Sequence, residues 1–193
     1  MATSPQNVRS LAASSALLLA LAGCGGSGDD GVAQTPSPPP APPAPVTLTG
    51  SVVVDQAIQN AVVCMDLNAN NVCDTGEPVS AKTGASGAYS ITYDPASITA
   101  AQATAASLIA TMVPGAPTNP NTTIDAAEPG VALTEKAYVL KQVPGKSGQI
   151  NPLTTLVAAG IQSGLAENTA RTNAAAQLAI TEAKIDNYQD DPA

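Results

Sequence analysis

The sequence predicts a mainly β fold, a small antiparallel β-sandwich followed by a short α-helical segment. Between residues 46 and 143, short runs rich in Val, Ile, Thr and Tyr alternate with turns rich in Gly and Pro, which is typical of antiparallel sandwiches. After Gly148 the apolar residues follow helical spacing instead. The chain has no Trp, Phe or His and only four Tyr, so we expect a light core of aliphatic side chains.

Six runs are predicted to form strands. They cover residues 46–55, 61–67, 79–83, 88–94, 107–113 and 137–143. In the fourth run, Tyr89, Ile91 and Tyr93 alternate with polar residues, so we expect one face of this strand to be buried.

Two local features interrupt these strands. Gly50 in the first run is expected to mark a bulge, because glycine inside a strand often does. Asp94 and Pro95 are expected to cap a short helix over residues 96–103.

Two longer helices are predicted after the strands. The first begins with Asn151 as its cap and Pro152 at its first helical position, and it ends at Ser163 and Gly164. One apolar face is predicted for it: Leu153, Leu156, Val157 and Ile161. The second helix covers roughly residues 167–181, and its alanine-rich face should pack closely on the first; that face contains Ala170, Ala174 and Leu178. We expect either that this segment docks on the sandwich or that the chain is the N-terminal part of a longer protein. We favour the second interpretation slightly.

The first residues have the pattern of a targeting segment. An apolar run from Leu11 to Ala22 follows Arg9 and is too short to span a bilayer. It ends in Leu21-Ala22-Gly23-Cys24, which resembles the lipobox of bacterial lipoproteins. The resemblance implies that the chain is cut before Cys24 and lipidated on its sulfur. Gly25 rather than Asp after the cysteine implies delivery to the outer membrane.

The sequence therefore divides into four regions. Residues 1–23 are the predicted lipoprotein signal peptide, and 24–45 are the lipidated cysteine with a Gly/Ser-rich and Pro-rich linker that spaces the domain from the membrane. Residues 46–148 are the predicted sandwich. Residues 149–193 are the two-helix segment.

Charge and composition exclude several functions. The net charge is −8 without a basic patch, which makes nucleic acid a poor partner. Without histidine the common catalytic triads and dyads are unavailable, so we predict that the chain is not an enzyme. Outside the loop described next, the acids Asp125, Glu128 and Glu135 are expected to be solvated.

The stretch 63–78 places oxygen-bearing side chains at the spacing of a calcium loop. The ligand positions 1, 3, 5, 7, 9 and 12 of such a loop would be held by Asp66, Asn68, Asn70, Val72, Asp74 and Glu77, with Val72 using its backbone carbonyl. Asn71 stands where Gly is usual; Asn tolerates positive φ, and we expect some loss of affinity. The loop follows a strand, so it is EF-hand-like only. A polar hairpin turn is the alternative interpretation.

Residues 46–95 carry a wider resemblance. A Gly-containing strand, the stretch around Asp66–Glu77 and a later Gly-x-Tyr are similar to B-type repeats of the Cna/SdrD kind and to carboxypeptidase regulatory-like domains. The resemblance implies an immunoglobulin-like or prealbumin-like sandwich that binds calcium structurally and has no catalytic role. The Lys–Asn isopeptide bond of many such repeats is not expected, because the first strand has no Lys.

The remaining cysteines are predicted to form a disulfide. If Cys24 is lipidated, Cys64 and Cys73 are left, and an oxidising compartment lets them pair. Their spacing is not that of a zinc or redox motif.

The sequence thus predicts an extracytoplasmic lipoprotein, held to the bacterial outer membrane by its lipid, with a calcium-stabilised sandwich in a structural or adhesive display role. Two alternatives stay open. The chain could be a glycan- or peptide-binding module of a larger surface assembly, with an envelope protein or glycan as partner. It could also be the N-terminal part of an enzyme whose catalytic region lies beyond residue 193.

Overall fold

The computed structural model describes residues 39 and 41–189, and all its helices and strands lie in the unit Pro40–Ala193. The fold is mainly β with a helical segment at its end, as predicted. The elements are β1 (Val46–Val52), β2 (Ile58–Gln59), β3 (Val62–Asp66), β4 (Ala88–Tyr93), α1 (Ala100–Ala105), β5 (Ser107–Met112), β6 (Ile124–Asp125), β7 (Tyr138–Lys141), β8 (Gly148–Ile150), α2 (Pro152–Gln162), α3 (Glu167–Leu178) and α4 (Ala183–Asp186).

Two three-stranded sheets form the sandwich. In the first, β1 lies between β4, its antiparallel neighbour, and β8, which is parallel to it. In the second, β5 lies between β3 and β7, all antiparallel; β2 and β6 form a separate pair. The core is aliphatic as expected, with Tyr89 the only aromatic among its buried members in the described residues. The predicted domain boundary at residue 148 falls inside β8.

The bulge predicted at Gly50 is wrong. The pairing of β1 with β4 runs without interruption from Val46 opposite Tyr93 to Ser51 opposite Ala88. Gly50 instead permits a close approach, since a Cβ there would lie 1.8 Å from the carbonyl oxygen of Gly148. The hydroxyl of Tyr89 donates to that carbonyl oxygen at 2.9 Å, and burial raises the pKa of Tyr89 to about 12 despite this hydrogen bond.

The first short helix begins later than predicted. Thr99, not Asp94, caps α1 through a capping box with Gln102. Asp94 instead closes a turn, where its side chain accepts from the backbone N–H of Ala96 at 2.8 Å. The predicted strand over residues 79–83 contributes only an isolated bridge between Val79 and Cys64, although the segment lies along β3.

The helical segment packs on the sandwich, which was one of the two expectations. Asn151 caps α2 as predicted, and its side chain accepts from the N–H groups of Leu153 and Thr154. The hydroxyl of Thr154 donates to the carbonyl oxygen of Lys141 in β7 at 2.7 Å, and the hydroxyl of Thr155 accepts from the Lys141 N–H at 2.8 Å.

Close packing between α2 and α3 is present, but two predicted core positions are wrong. A Cβ at Gly160 would lie 3.0 Å from the Cβ of Ala170, so the helices touch through small residues. Leu156 and Leu178 are 41% and 46% exposed. α3 ends at Leu178 rather than 181, because Ala179 takes a left-handed conformation with φ of 54°.

Candidate metal centre

The loop over residues 66–77 is closed at its base by backbone hydrogen bonds between the segments that precede and follow it. It leaves the end of β3, and the following segment returns along the same strand. The N–H of Met65 donates to the carbonyl oxygen of Pro78 at 2.9 Å, and the N–H of Ser80 donates to that of Val63 at 2.8 Å. The two ends of the loop are therefore fixed by the sheet.

A disulfide between Cys64 and Cys73 holds the loop back against β3, at a Cα–Cα distance of 5.7 Å. Cys64 is fully buried, whereas Cys73 belongs to the loop. The bridge spans a sequence separation of nine residues. On the chain-entropy model, closing such a short ring stabilises the folded state by roughly 2.5 to 3 kcal/mol.

Asp66 is the buried anchor of the loop, with an exposed fraction of 2%. One of its carboxylate oxygens accepts from the N–H of Asn70 at 3.1 Å, and the other accepts from the N–H of Asn71 at 2.9 Å. These two bonds curl the chain around the carboxylate. Since a carboxylate offers about four lone-pair sites, roughly two remain on Asp66.

Three further side chains of the predicted set meet at one oxygen. The carboxamide nitrogens of Asn68 and Asn70 both donate to Oδ2 of Asp74, at 2.8 and 2.7 Å. Their Oδ1 atoms accept from backbone N–H groups two residues further on, at Asn70 and Val72. Each carboxamide therefore bridges the curled backbone and Asp74.

Glu77 closes the loop from its far end. Its Oε1 accepts from the N–H of Leu67 at 2.8 Å, and its Oε2 accepts from the N–H of Asp74 at 3.0 Å. The last position of the predicted set thus reaches back to the first turn. Val72 is 54% exposed.

The backbone of the loop is left-handed at two non-glycine residues. Asn71 has φ of 66°, as its place in the pattern predicted, and Ala69 has φ of 59°, which the sequence did not reveal. A left-handed L-residue costs roughly 1–2 kcal/mol, and Asn tolerates it better than Ala. The Oδ1 atom of Asn71 is buried and has no hydrogen-bond partner in the described part of the chain.

Among the described residues, the ion pairs of basic side chains lie outside this loop. Three carboxylates lie within its twelve residues, whereas Lys146 and Arg171 pair with Glu167 and Asp186. Lys141 borders a cavity of about 180 Å³ that Asp66 also lines, but its ammonium group donates to Gln162 at 3.4 Å. The loop is therefore a concentration of negative charge without a cationic partner in the described structure.

Carboxylates alone do not make the site. Within residues 39 and 41–189, no three or more acidic, cysteine or histidine side chains group closely enough to hold a metal ion. A cation in this loop would therefore also need the amide oxygens of Asn68 and Asn70 and the carbonyl oxygen of Val72. That carbonyl oxygen accepts no hydrogen bond among the described residues.

The predicted solvent exposure of one acid is wrong. Asp125 is 6% exposed rather than solvated, and it accepts from the N–H groups of Asp55, Gln56 and Ala127. The bond to Ala127, two residues ahead, is a local turn that the sequence could have indicated. Glu128 and Glu135 are exposed, as predicted.

Several predictions lie outside the described residues: the signal peptide over 1–23, the lipidation of Cys24 and the linker up to residue 38. None of the helices in the described part of the chain is long and apolar enough to cross a membrane. Neither a family model, nor a curated protein, nor a solved structure matches this chain.

Proposed function

We propose that this chain is an envelope lipoprotein that displays a small β-sandwich, and that a calcium ion bound by residues 66–77 stabilises the sandwich. The observation that carries the proposal is the loop network. The five side chains at the predicted ligand positions hydrogen-bond within one curled segment, and a disulfide and the sheet fix that segment at its base. The role is structural or adhesive display rather than catalysis.

Burial and charge favour a cation in this loop. Asp66 is almost fully buried and retains lone pairs, while Asp74 and Glu77 add two more negative charges nearby in the sequence. Burying a charge without a partner is costly, so such a loop gains from a hard cation. Calcium prefers six to eight oxygens from carboxylates, amides and carbonyls, which is the mixture present here.

Side-chain rotations would present these oxygens, at the cost of hydrogen bonds that the same side chains now make. Asn68 and Asn70 direct carboxamide nitrogens at Asp74, and rotation about the terminal bond would exchange each nitrogen for Oδ1. Glu77 would release the N–H groups of Leu67 and Asp74 and use both oxygens, as the last position of such loops does. The backbone at Asn71 already has the required hand.

The display role rests on the N-terminal sequence. The lipobox-like Cys24 would hold the chain at the outer membrane, and the Pro-rich residues up to 45 would act as an extended spacer. Cys24→Ala should move the protein from the detergent-rich to the aqueous phase. Gly25→Asp should keep lipidation but retain the protein in the inner membrane. Unchanged partitioning of the Cys24→Ala protein would contradict the anchor.

The calcium site is tested by thermal and chemical unfolding. Affinity in the range of extracytoplasmic modules, about 10⁻⁴ to 10⁻³ M, makes about 10 mM calcium stabilise the fold by about 1.4 to 2.7 kcal/mol. A chelator should remove this gain, and magnesium should give less because it demands octahedral geometry.

Variants assign the effect to the loop. Glu77→Gln should remove most of the calcium shift and, because Glu77 accepts two backbone N–H groups, lower stability in chelator by about 1 kcal/mol. Glu128→Gln changes the charge equally at an exposed position outside the loop and should keep the full shift. An equal calcium shift in the parent and in the double variant Asp66→Ala, Glu77→Gln would show that the loop is only a turn.

A further inference from the structure

The outer edges of the two sheets differ in how their backbone groups are satisfied. The outer edge of β3 is bound by the returning segment, through the bonds of Met65 and Ser80 described above. The outer edge of β7 is bound by α2, through the two threonine hydroxyls on Lys141. The outer edge of β8 is bound by the side chain of Gln142, which donates to the carbonyl oxygen of Gln149 at 2.8 Å. Three of these four edges are therefore covered.

The fourth edge, that of β4, is open. The N–H of Val52 donates to the carbonyl oxygen of Gly87, so alternate residues of β4 from that point bond to β1. The residues between them direct their N–H and C=O groups away from β1: Ala88, Ser90 and Thr92. None of these backbone groups has a partner among the described residues, and all three residues are exposed.

This edge lacks the features that normally prevent pairing. Proteins protect edge strands with Lys, Pro, bulges or short length. The strand β4 has six residues, contains no charged residue and no Pro, and pairs with β1 without a bulge. In a chain of net charge −8 it is an uncharged strip where two copies could approach without direct repulsion.

We propose that β4 binds β4 of a second copy of this chain, antiparallel and centred on Ser90. In this register Ser90 faces Ser90, and Ala88 faces Thr92 of the second copy. Every outward residue then faces an outward residue, and three pairs that each exchange two bonds give about six hydrogen bonds. A register shifted by one residue would set outward groups against groups already bound to β1.

Side chains and charges fit the same register. The exposed face at the junction carries only Ala, Ser and Thr, and the inner face brings Tyr89 opposite Ile91 of the second copy, both core residues. The next acid along the chain, Asp94, falls opposite Ser86, so the two Asp94 side chains lie at opposite ends. Two three-stranded sheets become one sheet of six strands. The contact area is small, so we expect a weak dimer.

Sedimentation velocity of the full chain over a range of concentrations tests the dimer. Ser90→Lys places two like charges directly opposite each other, and we expect the dissociation constant to rise at least about tenfold, which corresponds to roughly 1.4 kcal/mol. Thr49→Lys is the matched control, since Thr49 lies beside Ser90 on the exposed face of β1. It changes the net charge equally and should shift the constant less than about twofold.

A cross-link tests the register. In Ser90→Cys chains the two Cα atoms would be about 5.5 Å apart, within reach of a short thiol-to-thiol linker. In Thr49→Cys chains they would be about 14 Å apart, three strand spacings, and should not react. The unsubstituted chain controls for Cys24, and all chains share the same N-terminal region.

The outcomes are decisive in either direction. A dimer that Ser90→Lys weakens and Thr49→Lys does not, with linking at residue 90 only, supports the proposal. A parent chain that stays monomeric at the highest soluble concentration overturns it. So does a dimer that both lysine variants weaken equally, or association that continues beyond two copies.

Discussion

The two buried carboxylates of the described chain, Asp66 and Asp125, hold the backbone by similar means, yet they differ in what remains unused. Asp66 accepts two backbone hydrogen bonds, one on each oxygen. Asp125 accepts four contacts from three N–H groups, two on each oxygen, at 2.9 to 3.2 Å. A carboxylate has about four lone-pair sites, so Asp125 is saturated and Asp66 is half used.

Their neighbours differ in the same sense. The partners of Asp125 are all backbone N–H groups, which carry partial positive charge and together take the place of a cation. Asp66 lies in a loop with two further carboxylates and two carboxamides that hydrogen-bond one another. Burial alone therefore does not indicate a metal ligand. Unused lone pairs beside other oxygen-bearing side chains are the more informative sign.

Removing the charge of the saturated carboxylate should destabilise the fold most. Asp125→Asn replaces one accepting oxygen with an NH₂ group that faces N–H donors, so at least one backbone N–H loses its acceptor. We expect the free energy of unfolding to fall by about 3 kcal/mol, because bonds to a charged acceptor contribute about 1.5–3 kcal/mol each. Urea unfolding with and without calcium measures it, and calcium should stabilise this variant as much as the parent.

Asp66→Asn should lose less stability in chelator than Asp125→Asn, but it should also lose the stabilisation by calcium. In chelator we expect a loss of about 1 kcal/mol, since one N–H loses its acceptor while repulsion from Asp74 and Glu77 falls. In calcium the variant should also lack the stabilisation that the parent gains. If calcium stabilises Asp66→Asn fully but not Asp125→Asn, the roles assigned to the two carboxylates are reversed.

The two sites also show what the sequence could reveal. Asp66 was found because its partners follow it at fixed spacing, and the same spacing predicted the left-handed backbone at Asn71. The partners of Asp125 are mainly Asp55 and Gln56, about seventy residues away in the chain. No local pattern reports a contact of that range, so the sequence alone predicts a solvated acid here.

The strands also differ in whether a local sequence pattern could predict them. Alternation in Tyr89, Ile91 and Tyr93 predicted β4 and its buried face, because the burial of one face leaves a period of two. The three-residue β8 was not predicted, since its strand character comes from pairing with β1 rather than from its own composition. The bulge predicted at Gly50 was wrong for the same reason. It was expected to change the register locally, but its small size serves contact with the distant Gly148.

A smaller effect links Asp125 to a titrating side chain. The pKa of Tyr138 is raised, first by burial and second by the negative charge of Asp125. Asp125→Asn should therefore lower the pKa of Tyr138 toward its ordinary value without restoring it fully. Because folding raises this tyrosine pKa, the folded state loses stability as pH rises from the unfolded-state pKa to the folded-state pKa. In the variant this loss should begin at the same pH, end at a lower pH and be smaller in total. Tyrosinate absorbance during a pH titration measures the shift, and Asp66→Asn is the control that should leave it unchanged.

Substitution of Asn71 should change stability and affinity little, and it separates loop geometry from calcium affinity. The pattern suggested that Asn in place of Gly lowers affinity. In the structure Asn71 already has φ of 66°, so the strain is present in the folded chain and cancels when calcium binds. Asn71→Gly also removes a buried amide oxygen without a partner, worth about 1 kcal/mol, which the entropy of glycine offsets by roughly 0.5–1 kcal/mol. We therefore expect stability to change by less than about 1 kcal/mol, and the calcium dissociation constant by less than about twofold in a calorimetric titration.

Ala69→Gly, at φ of 59°, is the matched variant and should gain slightly more stability, since Ala tolerates a left-handed backbone less well than Asn does. A tenfold tighter site in Asn71→Gly alone would mean that the loop changes its backbone at residue 71 when the ion binds.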